Sequence, residues 1–312
     1  YMWDLPALSE RIGAYLADKD AWWRRGVLEF ARNFATDVQP RAFTRDLTWG
    51  IPIPVPDAEG KCIYVWWEAV LGYLSATVEW AKVIGQPDAW KDFWYGDTSD
   101  GSLRIHNFIG KDNILFHTVL WQGILLGMGN LGQPWDGDSV KPVFNLPYDV
   151  PANQYLNLGG QKFSKSLGVS LDVLDLTEKY GPDAVRFYLL RDVSFGQDGS
   201  VSAGAFEERY ERELANDYGN LASRTLAMVG RYRDGRAPDV PHDPALDADF
   251  EDLATRVADL LDRAEVTQAL EEIWVRVRRL NRYVEERAPW KLAKDEAAAG
   301  ELDVVLASLA EG

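Results

Sequence analysis

The stretch Gly159-Gly160-Gln161-Lys162-Phe163-Ser164-Lys165-Ser166 holds the residue types and spacing best suited to chemistry. Two glycines free the backbone. Two lysines follow three residues apart, each beside a serine hydroxyl. Such a cationic, donor-rich tip suits a polyphosphate whose negative charge grows as it leaves. A solvated basic loop has the same composition, so its surroundings must decide. Gly110-Lys111-Asp112 is a second candidate. Glycine permits close approach, and an aspartate accepts hydrogen bonds from ribose hydroxyls. The same aspartate also reads as an ordinary cap for a helix starting near Ile114.

A third set is aromatic. Trp66, Ala69 and Tyr73 precede Phe116, His117, Leu120 and Trp121. His117 and Trp121 are four apart and share a helical face. Rings with two polar tips suit a small apolar ligand carrying a soft acceptor, since sulfur against an aromatic edge gains about 0.3–1.5 kcal/mol. Tyr73 and His117 can each offer a proton to a thioether. An aromatic core with a hydrogen-bonded histidine fits the same residues. A fourth set is Asn220, Arg224 and Trp290. The first two are four apart, and the third lies at a helix break, Ala288-Pro289-Trp290. Forked polar groups read base edges, and an aromatic ring stacks on an unpaired base for about 1–3 kcal/mol. A plain polar pair and a buried tryptophan is the alternative.

The elements that must position these residues follow from periodicity. Residues 5–38 predict two helices, with Pro6 near the start of the first. Alternate prolines over 50–56 predict extended chain outside any ladder. The apolar run Cys62–Trp66 predicts a buried parallel strand ending at Trp66, followed by a helix over 69–82. A second strand is expected over 103–109, a helix over 114–126 and a third strand over 143–146. Alternating strand and helix predicts half of an open parallel α/β sheet, and ligands bind such sheets at the strands' carboxyl ends. Gly181-Pro182-Asp183 opens a helix. From Phe206 onward apolar residues recur at helical spacing (Phe206, Tyr210, Leu214, Leu221, Val229, then Val266 to Val284), with a proline- and aspartate-rich loop over 233–244 between them. The fold class is therefore α/β followed by an all-α bundle.

Composition narrows the function. The chain has 312 residues and a net charge of −16, which argues against duplex DNA held through a broad basic face. A single cysteine, Cys62, excludes an internal disulfide and a thiolate zinc cluster and fits a reducing compartment. No apolar run is long enough to span a membrane. The start, Tyr1-Met2-Trp3-Asp4, reads as the middle of a longer chain.

Together these pieces resemble the methionyl-tRNA synthetase family of class I aminoacyl-tRNA synthetases. Seven stretches carry the resemblance in family order. They are Trp49–Pro54, Tyr64–Ala69 with Gly72-Tyr73, Phe108–Asn113 with Phe116-His117, Lys162–Ser166, Tyr180–Arg186, Asn220–Arg224, and Asn281–Val284 through Ala288–Trp290. The family's lysine loop is usually KMSKS, and Phe163 stands here for its methionine. The resemblance implies that Lys162 and Lys165 act on the ATP phosphates, and that Gly110, Asp112, Phe163, Ser164 and Lys165 bind the nucleotide. It assigns Trp66, Ala69, Tyr73, Phe116, His117 and Trp121 to methionine, and Asn220, Arg224 and Trp290 to the CAU anticodon. Glu68, Val70 and Gln122 depart from the expected Asp, Pro and Pro.

The implied domains are a helical tail of a connective insert (1–49), the second half of a Rossmann-like nucleotide-binding domain (50–160), the lysine loop with a stem-contact region (161–203), and an anticodon-binding bundle (204–312). The family's HIGH signature and zinc knuckle have no counterpart among these residues, so no metal is expected in this chain. ATP with Mg2+ enters as substrate. The expected partners are tRNA(Met), methionine and ATP, in the cytoplasm, with neither membrane nor DNA. The expected activity is methionine–tRNA ligation in the complete enzyme, this chain being a fragment inactive by itself. A leucine, isoleucine or valine synthetase, or a fragment that binds tRNA without catalysis, are the alternatives.

Overall fold

A computed structural model describes residues 1–128, 144–158, 161–162 and 172–312. Gly159, Gly160 and Phe163–Ser166 lie outside the described residues, and of Lys162 only the backbone is described. The chain divides into two compact units, Tyr1–Asn153 and Gln154–Gly312.

In the first unit, β1 (Met2–Trp3) pairs antiparallel with β2 (Arg41–Ala42). Between them lie α1 (Ser9–Leu16) and α2 (Arg25–Thr36), as the 3.6-residue spacing predicts. Leu8, Ile12 and Leu16 recur every fourth residue and are buried with Val27, Leu28 and Ala31. This helical pair clamps one distant segment through side-chain donors. Tyr15 donates to the Pro147 carbonyl at 2.5 Å, and Trp22 and Trp23 both donate to the Tyr148 carbonyl, at 2.9 and 2.8 Å.

The apolar run at 62–66 is not a parallel strand. β4 (Lys61–Ile63) pairs antiparallel with β3 (Thr44–Asp46), and α3 (Val65–Val83) begins two residues later. Trp66 thus sits in the first turn of a helix. The prolines also join the ladder on β4's other edge. Ile53 N–H donates to Lys61 and Ile63 N–H to Ile51, because non-proline residues alternate with the prolines. α4 (Trp90–Trp94) follows.

Parallel pairing does occur, but it is short. β5 (Ile109–Gly110) pairs with β6 (Ala152–Asn153), extended by a bridge between His106 and Asp149. The predicted strand over 103–109 shrinks to this. Of the predicted strand over 143–146, Val143 lies outside the described residues and Phe144–Leu146 is not strand. Asn145 instead closes the end of α4. Its backbone N–H donates to Trp94, and its amide donates to Phe93 and Gly96. After β5 come a 3₁₀ turn (Lys111–Asn113), a π-turn (Phe116–Leu120) and α5 (Trp121–Met128). Gly123 has a packing reason: a Cβ there would lie 2.5 Å from the Trp3 ring.

Asp149 is buried beside this ladder, and burial pushes its carboxyl up to about 6 against the Val150 N–H and the Arg24 charge. The folded value exceeds the unfolded 3.8, so the contribution to stability is complete below pH 3.8 and is lost as pH rises through about 6. Asp149→Asn is therefore expected to stabilise the protein by about 1–3 kcal/mol at pH 7.5 and by little near pH 4. Urea unfolding at both pH values checks this, and an equal effect at both contradicts it.

In the second unit, β7 (Leu156–Leu158) pairs antiparallel with β8 (Gln161–Lys162) and parallel with β9 (Gly199–Val201). α6 (Val173–Tyr180) is capped by Asp172. α7 (Pro182–Asp192) carries Pro182 at its first position, where the missing N–H is harmless. Beyond β9 the described residues are helical: α8 (Ala203–Arg209), a π-segment (Tyr210–Gly219), α9 (Asn220–Arg233), α10 (Pro244–Phe250), α11 (Leu253–Asp262), α12 (Val266–Arg287), α13 (Pro289–Leu292) and α14 (Ala299–Glu311). Their core is Leu221, Val277, Leu280, Val284, Val305 and Leu309, as the helical spacing of 221, 277, 280 and 284 predicts. Buried charges join α7 to the bundle. Glu213, 5% exposed, accepts from Arg191 at 3.0 Å and Arg209 at 2.8 Å, and Arg191 also binds Glu271. Removing one partner of such a buried pair typically costs about 3–5 kcal/mol.

Candidate functional site

The first unit brings the aromatic set together around the start of α3 and the π-turn. Trp66 stacks on Phe116, with centroids 4.7 Å apart and planes at 23°. Tyr73, two turns along α3, meets His117 at 5.5 Å and Trp121 at 6.2 Å. Ala69, between them on α3, is exposed. Trp121 is fully buried among Val70, Trp94 and Phe144, so it forms the floor of the cluster.

The hydrogen bonds fix the state of the polar tips. His117 Nδ1 lies 3.0 Å from the Asn113 carbonyl, and Tyr73 OH lies 2.7 Å from His117 Nε2. A carbonyl only accepts, so Nδ1 carries a proton. Burial lowers the His117 pKa against the opposing pull of the Asn113 bond, which keeps the ring neutral near pH 7. Nε2 is then the acceptor, and Tyr73 donates to it. The idea that each side chain offers a proton outward thus needs correction. Both protons are engaged internally, and the Tyr73 hydroxyl is the one that a rotation can redirect.

The π-turn makes this possible. Trp121 N–H donates to the Phe116 carbonyl five residues back, a spacing that is rare and clusters at functional sites. Three side chains donate to carbonyls of this segment: His117 to Asn113, Thr118 to Ile114 at 2.7 Å, and Gln122 to His117 at 2.5 Å. Asn113, Thr118 and Gln122 are contributors that the sequence did not mark for this purpose. Only their i, i+4 and i, i+5 spacing to the partner carbonyl could have hinted at it.

Gly110 ends β5, and Asp112 lies in the 3₁₀ turn beyond it, both exposed. Among the described residues, a Cβ at Gly110 would meet nothing within 4 Å, so their packing does not require glycine there and leaves room for a ligand to approach. Among the described residues no three His, Cys, Asp or Glu converge to hold a metal, and no helix is long and apolar enough to cross a membrane.

In the second unit, Asn220 and Arg224 occupy the first turns of α9, and Asn220 is exposed. Arg224 sits 5.7 Å from the Trp290 ring centroid and pairs with Glu285 at 2.7 Å. Ala288 adopts a left-handed conformation (φ 43°) that ends α12 and starts α13, and this break places the half-buried Trp290 beside Arg224. The Phe163, Ser164 and Lys165 positions lie outside the described residues, and Lys162 pairs through its backbone with Asn157.

Residues 1–226 match the model of the family described as tRNA synthetases class I (M). The chain belongs to this family. The methionine–tRNA ligase of Thermomicrobium roseum is 40% identical over 308 residues, covering 96% of this chain and 49% of that protein. That of Roseiflexus castenholzii is 40% identical over 316 residues, covering 97% and 51%. Among solved structures, methionyl-tRNA synthetase of Mycobacterium tuberculosis in complex with methionyl-adenylate matches with a TM-score of 0.82 and 30% identity, over 100% of this chain and 58% of that one. The free form of the same enzyme gives 0.78 and 28%. This class I tRNA synthetase (M) chain spans about half the length of the curated relatives it matches. The aromatic set, the Gly110 turn and the first turns of α9 that carry Arg224 lie within the residues that match the family model. Trp290 lies beyond them.

Proposed function

We propose that this chain forms part of a methionine–tRNA ligase, which activates methionine with ATP and transfers it to tRNA(Met). The observation that carries the reading is the neutral His117–Tyr73 pair, set among Trp66, Phe116 and Trp121 near the carboxyl end of β5. That site suits an apolar side chain with a weak acceptor. Relatives named methionine–tRNA ligase support it.

In the first step a methionine carboxylate oxygen attacks the α-phosphorus of ATP. The bond to the bridging oxygen breaks, and pyrophosphate leaves with the electron pair. Gly110 and Asp112 hold the adenosine. Lys162 and Lys165, flanked by Phe163 and Ser164, meet the phosphates, with Mg2+ entering on the nucleotide. The terminal ribose hydroxyl of the tRNA then attacks the adenylate carbonyl and gives up its proton. The bond from the carbonyl carbon to the phosphate oxygen breaks, and AMP leaves with the electron pair. Such catalysis is mostly positioning and charge stabilisation. The sequence ranges 1–49, 50–160, 161–203 and 204–312 divide these tasks, and translation places them in the cytoplasm. Amino-acid-dependent pyrophosphate exchange on the full-length protein tests the reading. Methionine should support exchange far better than leucine, isoleucine or valine, and a preference for any of these three would refute it.

Arg224 stacked near Trp290 supports anticodon contact by the bundle, and with it a second reading in which this chain alone binds tRNA without catalysis. Trp290→Ala is expected to weaken tRNA(Met) binding by about 1–3 kcal/mol. Filter binding beside aminoacylation checks this. Unchanged affinity in a folded variant removes Trp290 from the interface.

A further inference from the structure

We propose that Gln122 is a positioning residue for the His117–Tyr73 pair, and through it for side-chain discrimination at the proposed methionine site. The second clause rests on the methionine reading, and the first does not. Gln122 is fully buried, so its amide must find partners within the fold. Its Nε2 donates to the His117 carbonyl at 2.5 Å and reaches the Tyr15 hydroxyl at 3.4 Å. Tyr15 is itself tied to the Pro147 carbonyl. Its Oε1 is buried with no partner among the described residues, a cost that an apolar side chain would avoid. The amide is thus retained at a site where one half of it is unsatisfied.

Its satisfied half acts on His117 most closely. The carbonyl it binds belongs to His117, and the ring of that residue holds Tyr73. The π-turn widens the helix just where His117 must turn its ring toward both Asn113 and Tyr73. Gln122 reaches back five residues and occupies the carbonyl that this wider spacing presents. Without the amide, that carbonyl loses its side-chain donor, and the turn is free to narrow toward α-helical spacing. The narrowing would rotate His117 by a fraction of a turn and lengthen one of its two ring bonds. Gln122 is then an anchor that links the α1–α2 clamp, through Tyr15, to the ring that orients the tyrosine hydroxyl.

Histidine is scarce in this chain: His106, His117 and His242 are all there are. Long-range 1H–15N spectra of the 312-residue chain can therefore follow each ring, with His117 assigned from His117→Gln. The wild type should show a neutral Nδ1–H ring titrating below the ordinary value of about 6.5. Gln122→Leu should give a mixture of tautomers, and titration should move back toward the ordinary value, with near-UV circular dichroism retained. Gln122→Met, unbranched and of similar length, is the second variant should the leucine disrupt folding. A His117 ring unchanged in tautomer and titration in either folded variant overturns the proposal, since a merely structural amide would lower stability and leave the ring alone. In the full-length protein, the preference for methionine over norleucine should fall about 2- to 10-fold with the KM for ATP unchanged. Absence of any methionine response in the wild type would instead sink the substrate reading, while the tautomer result still decides the role of Gln122.

Discussion

Lys165→Ala in the full-length protein is expected to lower methionine-dependent pyrophosphate exchange about 10²–10³-fold, with methionine affinity nearly unchanged, because loss of one donor aimed at developing charge typically costs that much. The charge on departing pyrophosphate is largest in and after the transition state, so an ammonium that meets it lowers the barrier more than it tightens ground-state binding. In kinetic terms kcat falls and the KM for methionine stays. An Arg at this position should rescue poorly, because a planar fork does not replace a compact charge on a flexible stem. Unchanged exchange in a folded Lys165→Ala variant would end the proposed role of the lysine loop.

The second large effect is expected at the polar tips of the aromatic set. His117→Ala should lower kcat/KM for methionine about 10- to 100-fold, since it removes a buried ring and leaves Tyr73 without its acceptor. Norleucine, which lacks the sulfur, should lose less, so the preference between the two shrinks about 2- to 10-fold. Tyr73 donates to His117 Nε2, which makes the pair one unit. Tyr73→Phe should reproduce much of the loss, and the double variant should add little to the larger single effect. Parallel kinetics with both amino acids on the three variants measure this. Strictly additive losses, or an unaltered preference, would show that the sulfur is not recognised through this pair.

Local signals were readable from the residues alone. The bundle announced itself because helical contacts recur every three or four residues, as Val277, Leu280 and Val284 do on α12. Pro182 after Gly181, and the Ala288-Pro289 break, state their backbone geometry in the residue type. The glycine turn after β5 was legible for the same reason, since it lies within a short window of chain, and the aromatic cluster joins two such windows, Trp66–Tyr73 and Phe116–Trp121.

What the chain did not disclose depends on partners far away in sequence. Whether Lys61–Ile63 pairs parallel or antiparallel is settled by Thr44–Asp46 and by the carbonyl and N–H groups between the prolines. An apolar run looks the same in either case. The point where β4 yields to α3, and hence Trp66's place on a helix, was hidden likewise. Arg191 finds Glu213 and Glu271 at sequence separations of 22 and 80, which no local period encodes. The direction of the protons was the deepest of these. It follows from the Asn113 carbonyl at His117 Nδ1, the Tyr73 hydroxyl at Nε2 and the desolvation of His117 acting together, and burial exists once the chain has packed.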